Sequence, residues 1–188
     1  MKGTPFIQYG DEINLEEKTP RYMKWNDKLN CGFSNNQTSL IEQTKCSPNV
    51  EEETSHGAGN RLIRLYQNLK DLRRKNSFLF GDVILPDSSL VQIDENLLAF
   101  VREAEKFDGY LIAANIGKSS KKFDFKNMFK LTDYKETGKS IQLPDTAKVV
   151  YFDWVGTKLH NDFEIENKIQ TDRIYLNPGE FLVLSFTR

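Results

Sequence analysis

The residues with the clearest chemistry are two cysteines, Cys31 and Cys46, the only ones in a chain of 188 residues. They lie fifteen positions apart in a polar stretch, and a disulfide that closes a loop of that length stabilises a fold by about 3 kcal/mol. Between them, Asn36-Gln37-Thr38 matches the acceptor pattern for N-glycosylation. We predict a disulfide between Cys31 and Cys46 and a glycan on Asn36, both typical of an extracellular setting. Two unrelated thiols are the alternative for the cysteines.

Other reactive side chains give no metal, cofactor or nucleophile pattern. The two histidines, His56 and His160, lie in separate segments without the additional ligands that a zinc site needs. The sequence also contains no P-loop, no dinucleotide-binding glycine pattern and no nucleophile elbow. We therefore expect no metal and no cofactor, and we interpret the histidines as residues of surface loops.

Adjacent carboxylates at Asp11 and Glu12 raise the possibility of glycoside hydrolysis. The catalytic carboxylates of such enzymes flank the scissile bond from opposite sides, roughly 5 to 9.5 Å apart. Neighbouring residues at the end of a strand normally point in different directions. A structural role for this pair is the better interpretation, and the chain carries no predicted catalytic residue.

Four aromatic residues, Trp25, Tyr151, Phe152 and Trp154, could form a platform on which a sugar ring stacks. Tyr151 and Phe152 would lie on opposite faces of one strand, so only one of them can face solvent if the other is in a core. Aromatic residues of a β-sandwich more often lie in the core. A sugar-binding sandwich is therefore the weakest of the functional interpretations.

The composition excludes several functional classes. With 26 Lys and Arg residues against 27 Asp and Glu residues, the formal net charge is −1, which argues against a nucleic-acid partner and against a polybasic membrane-surface protein. No run approaches the roughly 20 apolar residues that span a bilayer. The first residues lack the apolar region of a signal peptide.

The first 75 residues alternate between loops and two short regular elements. The apolar run at residues 6–9 predicts a buried strand, and residues 18–53 predict a long surface loop. Residues 61–75 predict a helix, since one apolar stripe recurs at helical spacing. Asn60 is the predicted N-cap of that helix.

From residue 78 the pattern changes to short strands separated by turn residues. Such a series predicts an antiparallel β-sandwich, with a domain boundary near residues 75–79. The predicted strands span residues 80–85, 90–93, 97–102, 110–116, 122–125, 147–153, 168–170, 174–176 and 180–186.

Several sequence blocks resemble the α-amylase superfamily (glycoside hydrolase family thirteen), in the order in which that superfamily has them. Residues 3–13 resemble its last barrel strand, Met23-Lys24-Trp25-Asn26 resembles its Met-Gln-Trp-Asp element, and Cys31-Gly32-Phe33-Ser34 resembles the Ala-Gly-Phe-Ser element of its α-glucosidases. The further blocks are Leu65 to Arg73, Gly81, Ala99 to Arg102, Asn115 to Gly117 and Leu176 to Glu180.

The resemblance covers essentially the whole chain and implies a mainly β fold. Residues 1–77 are expected to be the end of a (β/α)8 barrel, with its last strand, a long loop and its last helix. Residues 78–188 are expected to be the C-terminal antiparallel β-sandwich. The superfamily's three catalytic carboxylates lie on barrel strands four, five and seven, which would precede Met1, so the resemblance transfers no catalytic residue.

Two branches of the superfamily fit. One comprises the heavy chains of heteromeric amino-acid transporters, plasma-membrane glycoproteins whose extracellular domain escorts a transporter light chain. The other comprises secreted α-glucosidases (maltases), which act on α-glucoside oligosaccharides. The enzymes usually have Gly-Met where this chain has Asn14-Leu15, and Gln-Trp-Asp where it has Lys24-Trp25-Asn26. These departures favour the heavy chain, with an extracellular location, a membrane anchor upstream of Met1 and the light chain as partner.

Overall fold

The computed structural model of the chain describes residues 6–8, 10–13, 15, 22–35, 45–55, 61–86, 95–129, 142–154 and 163–187. The chain divides into two compact units, an N-terminal unit of residues 2–72 and a C-terminal unit of residues 73–188. The resemblance places a domain boundary five residues later, between residues 77 and 78. The assignment of residues 1–77 to a barrel stays a prediction.

The regular elements in the described part of the N-terminal unit are all helical. Two 3-10 turns span Asp11–Ile13 and Leu29–Gly32, helix α1 spans Val50–Thr54, and helix α2 spans Arg61–Arg73, so that its last residue belongs to the C-terminal unit. Three buried side chains, Ile13, Leu15 and Met23, form a small cluster against which Val50 and Ile63 pack.

A side-chain cap explains where α1 begins, and the backbone conformation after Arg73 explains where α2 ends. The Asn49 side chain accepts a hydrogen bond from the Glu52 amide at 2.9 Å and so caps α1. The predicted helix at residues 61–75 is present but ends at Arg73, because Lys75 is extended, with φ −69° and ψ 144°. Lys75 is instead the N-cap of helix α3, which spans Asn76–Leu79. The predicted N-cap, Asn60, lies outside the described residues.

Two expectations for the N-terminal unit are wrong in part. Residues 6–8 form no strand, and Phe6 and Ile7 are 94% and 56% exposed. A strand needs a neighbour to pair its backbone groups, and the described part of this unit contains no strand. The predicted loop at residues 18–53 also contains the turn Leu29–Gly32 and most of α1, because caps and short-range bonds stabilise regular turns there.

The described part of the C-terminal unit contains eight strands: β1 Asp82–Ile84, β2 Leu97–Glu103, β3 Gly109–Asn115, β4 Lys121–Phe123, β5 Thr146–Trp154, β6 Lys168–Gln170, β7 Ile174–Leu176 and β8 Glu180–Phe186. A short helix, α4, spans Phe125–Met128. Six strands form one sheet in the order β1-β2-β3-β8-β5-β6, and β4 and β7 form a second sheet. Every pair is antiparallel. Of the predicted strands, residues 90–93 lie outside the described part of the chain.

A single apolar core joins the two sheets, which confirms the mainly β fold. The six-stranded sheet contributes alternate residues, such as Val101, Leu111 and Leu184, all at most 1% exposed. The two-stranded sheet contributes Phe123 and Leu176 to the same cluster. Strand alternation therefore directs one side of each strand into this core, as the sequence pattern predicts.

The opposite face of the six-stranded sheet is also largely buried. Ile112, Val183 and Tyr151 lie on that face, and each is at most 9% exposed. Arg102 and Tyr110, a cross-strand pair on the same face, are 2% and 7% exposed. The second face of this sheet is thus apolar with a few enclosed polar groups, unlike the solvated face of a simple sandwich.

Candidate functional site: the disulfide-bonded turn and its aromatic neighbours

The structure joins the sulfur atoms of Cys31 and Cys46 in a disulfide, with the two Cα atoms 5.1 Å apart. Cys31 is buried at 4% exposure, and Cys46 is half-buried. The bond joins two segments that lie fifteen residues apart in sequence. The two cysteines do not belong to the same helix or strand. The predicted glycan site, Asn36, lies outside the described residues.

A left-handed turn surrounds Cys31. Asn30, Cys31 and Gly32 have φ values of 53°, 54° and 71°. The Cys31 carbonyl accepts hydrogen bonds from the amides of Trp25 at 2.8 Å and Asn26 at 3.3 Å. A methyl group at Gly32 would lie only 2.6 Å from the side-chain oxygen of Asn26. Glycine is therefore favoured at this position, because it adopts the left-handed backbone without strain and leaves room for the Asn26 side chain.

Residues 24 and 25 connect this turn to the start of α1. The Trp25 carbonyl accepts a hydrogen bond from the Glu51 amide at 3.0 Å, and the Lys24 carbonyl accepts one from Val50 at 2.9 Å. The Lys24 ammonium donates to the carbonyl of Ser47 at 3.4 Å. The indole of Trp25 itself is 46% exposed. The backbone of Trp25 is thus fixed on both sides while its side chain remains accessible.

Asp11 and Glu12 make local bonds in the structure. The Asp11 carboxylate accepts a hydrogen bond from the Gln8 amide at 2.9 Å, and the Glu12 carboxylate accepts one from the Gly10 amide at 3.1 Å. Burial raises the pKa of Tyr66, and the negative charges of Asp11 and Glu12 raise it further. These bonds give both carboxylates a part in shaping the turn, which supports the structural interpretation of the pair.

Two members of the candidate sugar platform, Tyr151 and Phe152, lie on opposite faces of β5, as expected for neighbours in a strand. The Tyr151 hydroxyl donates to Asp153 at 3.1 Å, and its ring lies 5.9 Å from that of Phe181 on the second face of the large sheet. Phe152 packs against the sandwich core. Trp25 belongs to the other unit, and the side chain of Trp154 is outside the description.

Sequence reasoning missed the role of Arg102 as an internal anchor. Its guanidinium donates to the Phe78 carbonyl of α3 at 2.5 Å, and the ring of Phe78 lies 5.1 Å from that of Tyr110. Burial lowers the pKa of Arg102, with Asp82 opposing that shift. An arginine in an otherwise alternating strand is usually a solvent-facing residue, so the sequence carried no signal for this burial.

Two motif residues from the resemblance, Asn115 and Glu180, organise the end of the sandwich. The buried Asn115 amide donates to the carbonyls of Leu176 and Ser119, at 2.8 and 2.9 Å. The Glu180 carboxylate accepts hydrogen bonds from the amide and the side chain of Asn177, at 2.8 and 3.1 Å. These contacts give the Asn115 and Asn177-to-Glu180 motifs a structural explanation, because they satisfy backbone groups at the end of β7 and in the turn before β4.

The described residues show neither a metal-binding group nor a membrane-spanning helix. No three His, Cys, Asp or Glu residues in these ranges form a group that could hold a metal ion. Within the same ranges, none of the helices is both long and apolar enough to cross a membrane. His56 and His160 lie outside the described part of the chain.

No protein-family profile matches the chain. Among curated proteins, the chain is similar to the amino acid transporter heavy chain SLC3A2 of Rattus norvegicus, with 27% identity over 198 aligned positions. The alignment covers 99% of this chain and 32% of that protein. The chain therefore spans about a third of the length of this relative.

Solved structures of glycoside hydrolase family thirteen show a similar fold. Isomaltulose synthase (PalI) from Klebsiella sp. LX3 matches with a TM-score of 0.55 and 19% identity, over 86% of this chain and 24% of that chain. A protein described as a family GH13_31 enzyme matches with a TM-score of 0.54 and 15% identity, over 88% of this chain and 23% of that chain. Together with the curated relative, these matches confirm that the chain resembles a C-terminal portion of an α-amylase-superfamily protein.

Proposed function

We propose that the chain is part of a heavy chain of a heteromeric amino-acid transporter, an ancillary glycoprotein that stabilises a transporter light chain and escorts it to the plasma membrane. The observation that carries the proposal is the similarity to the rat heavy chain over 99% of this chain. In this proposal residues 1–77 complete a barrel, and residues 78–188 form the sandwich that follows it. Both would lie on the extracellular side of the membrane.

The contacts of Lys24 and Asn26 support a structural role over a catalytic one. The resemblance implies a glutamine and an aspartate at these positions beside the sugar pocket of the enzymes. Here the Lys24 ammonium binds the Ser47 carbonyl, and the Asn26 side-chain oxygen accepts a hydrogen bond from the Lys28 amide at 3.0 Å. Both side chains therefore form hydrogen bonds with backbone groups near the Cys31–Cys46 disulfide. A lysine and an amide also offer a sugar hydroxyl different hydrogen bonds from those of an amide and a carboxylate.

The Cys31–Cys46 disulfide and the Asn36 acceptor support the extracellular part of the proposal. Disulfides persist in oxidising compartments, and N-glycans are added to chains that enter the secretory pathway. Removal of N-glycans from the protein made in animal cells should lower its apparent mass. An Asn36→Gln variant should already show the lower mass, and an unchanged mass of the natural chain after glycan removal would reject this site.

The direct test is co-expression in cells that lack their own heavy chain. The complete coding sequence that contains this chain is expressed with an amino-acid transporter light chain, and the light chain at the cell surface is measured by biotinylation. We expect several-fold more surface light chain and a matching rise in amino-acid uptake. A light chain that stays inside the cell while the heavy-chain candidate reaches the surface would contradict the proposal.

The alternative function is that of a secreted α-glucosidase, which the shared fold with glycoside hydrolase family thirteen enzymes favours. Its substrate would be an α-glucoside oligosaccharide. In a parallel experiment, the same protein is purified and incubated with maltose, and the release of glucose is measured. Turnover of maltose without any effect on the light chain would favour the enzyme over the heavy chain.

A further inference from the structure

The turn at residues 30–32 places three consecutive residues in the left-handed backbone region. Asn30 and Cys31 have nearly the same conformation, with φ and ψ of 53° and 32° and of 54° and 32°. Gly32 follows with φ 71°. Glycine adopts this region freely and asparagine tolerates it, but a cysteine meets a clash between its Cβ and the backbone. The conformation of Cys31 therefore needs a restraint from its surroundings.

Two kinds of contact hold Cys31 in this conformation. Its side chain is bonded to Cys46, and its carbonyl accepts the amides of Trp25 and Asn26. The Cys31 amide donates to the Lys28 carbonyl at 2.9 Å. Because the same carbonyl fixes Trp25, a relaxation of the turn would move the backbone that carries this exposed indole.

We propose that the Cys31–Cys46 bond is a reducible clamp that fixes the left-handed turn and, through it, the position of Trp25. Reduction by a dithiol releases the backbone strain at Cys31, so the strain favours the reduced form. The proposal is independent of the heavy-chain function, since it concerns only the turn and its two cysteines. Besides Trp25, which is 46% exposed, two apolar residues within two positions of Cys31, Leu29 and Phe33, are 55% and 46% exposed.

The reaction is an ordinary thiol–disulfide exchange. A thiolate of the dithiol attacks the Cys46 sulfur, because Cys46 is half-buried while Cys31 is only 4% exposed. The Cys31–Cys46 bond breaks, Cys31 leaves as a thiolate and takes up a proton from water. The second thiol of the reductant then attacks the mixed disulfide, which leaves Cys46 reduced and the reductant as its own disulfide.

The first experiment compares Asn30→Gly with Asn30→Ala in the full chain. Both variants lose the hydrogen bond from the Asn30 side chain to the Ser34 carbonyl, so they differ only in their tolerance of the left-handed backbone. The dithiothreitol concentration at half-reduction is measured by alkylation and mass spectrometry. We expect it to be about fivefold lower for the alanine variant. Equal half-reduction points would show that the turn and the disulfide are not coupled, and would overturn the proposal.

The second experiment follows Trp25 directly in a Trp154→Phe background, where Trp25 is the one remaining tryptophan. We expect reduction to shift the Trp25 emission while the far-ultraviolet signal of the β-strands is retained. A separate reaction with glutathione should give an adduct on Cys46, which peptide mapping detects. An unchanged emission, loss of the strand signal on reduction, or an adduct on Cys31 would each overturn the proposal.

Discussion

Different interactions stabilise each of the two units of the chain. In the C-terminal unit, β3 pairs with β8 over six registered positions although the two strands are about 70 residues apart in sequence, and eighteen described residues form one buried cluster. In the N-terminal unit, the buried cluster contains three described residues, and a disulfide joins its segments. Burial therefore stabilises the C-terminal unit, whereas the described part of the N-terminal unit depends on a covalent bond and on local hydrogen bonds.

The largest effect should come from a cavity in the sandwich core. Leu182 lies in β8 at 0% exposure, and a Leu182→Ala change should lower the free energy of unfolding of the C-terminal unit by about 2–5 kcal/mol. Leu98→Ala is the matched control, because Leu98 also lies in a strand but is 50% exposed. Urea unfolding followed by the strand signal measures both. Equal losses for the two variants would mean that burial does not explain the stability of this unit.

The next largest effect should be confined to the N-terminal unit. A Cys31→Ser, Cys46→Ser double variant should lose about 3 kcal/mol there, because the unfolded chain gains the entropy of an open loop. Hydrogen exchange followed peptide by peptide should show faster exchange in residues 22–55 and unchanged exchange in β3 and β8. Faster exchange throughout the chain would show that the sandwich also depends on the disulfide, and the contrast between the units would fail.

The sequence predicts the C-terminal unit better than the N-terminal unit, for a physical reason. The run at residues 180–186 is apolar at five of its seven positions and contains strong strand formers, and β8 has the predicted bounds. The run at residues 6–9 has similar composition, yet Phe6 is 94% exposed. Short apolar runs are ambiguous, since only a neighbouring strand decides whether they are buried, and composition does not report that neighbour.

The candidate site shows the same limit. The spacing of Cys31 and Cys46 predicts a disulfide, but nothing in the residue types requires a cysteine in a left-handed conformation. That conformation depends on amides from Trp25 and Asn26, which only the folded turn supplies. The buried anchor Arg102 depends likewise on a carbonyl of α3. Features that arise from contacts between distant segments are those that a single sequence does not reveal.

A smaller effect is expected at Gly81, one of the motif residues, where α3 meets β2. A Cβ atom at this position would lie 2.3 Å from the Ser77 carbonyl oxygen and 2.5 Å from that of Glu103. Both are backbone atoms, so Gly81→Ala should shift α3 away from the sheet and lower stability by about 1–3 kcal/mol. Ser119→Ala, at an exposed position of the same unit, is the control. A thermal midpoint equal to that of the control would show that α3 is not tightly attached.

The smallest predicted effect is a pH dependence that distinguishes the units. Burial raises the pKa of Tyr110 in the C-terminal unit, and Asp108 raises it further. Since the pKa in the folded state lies above the unfolded value near 10, the tyrosine contributes stability that is present below about pH 10 and is lost as the pH rises through the folded-state value. Tyr110→Phe should therefore flatten the fall in unfolding free energy of the sandwich above pH 10. Burial also raises the pKa of Tyr66, which lies in the N-terminal unit, so Tyr66→Phe should leave the fall for the sandwich unchanged. A flatter fall for the sandwich in the Tyr66→Phe variant would show that the two units do not unfold separately.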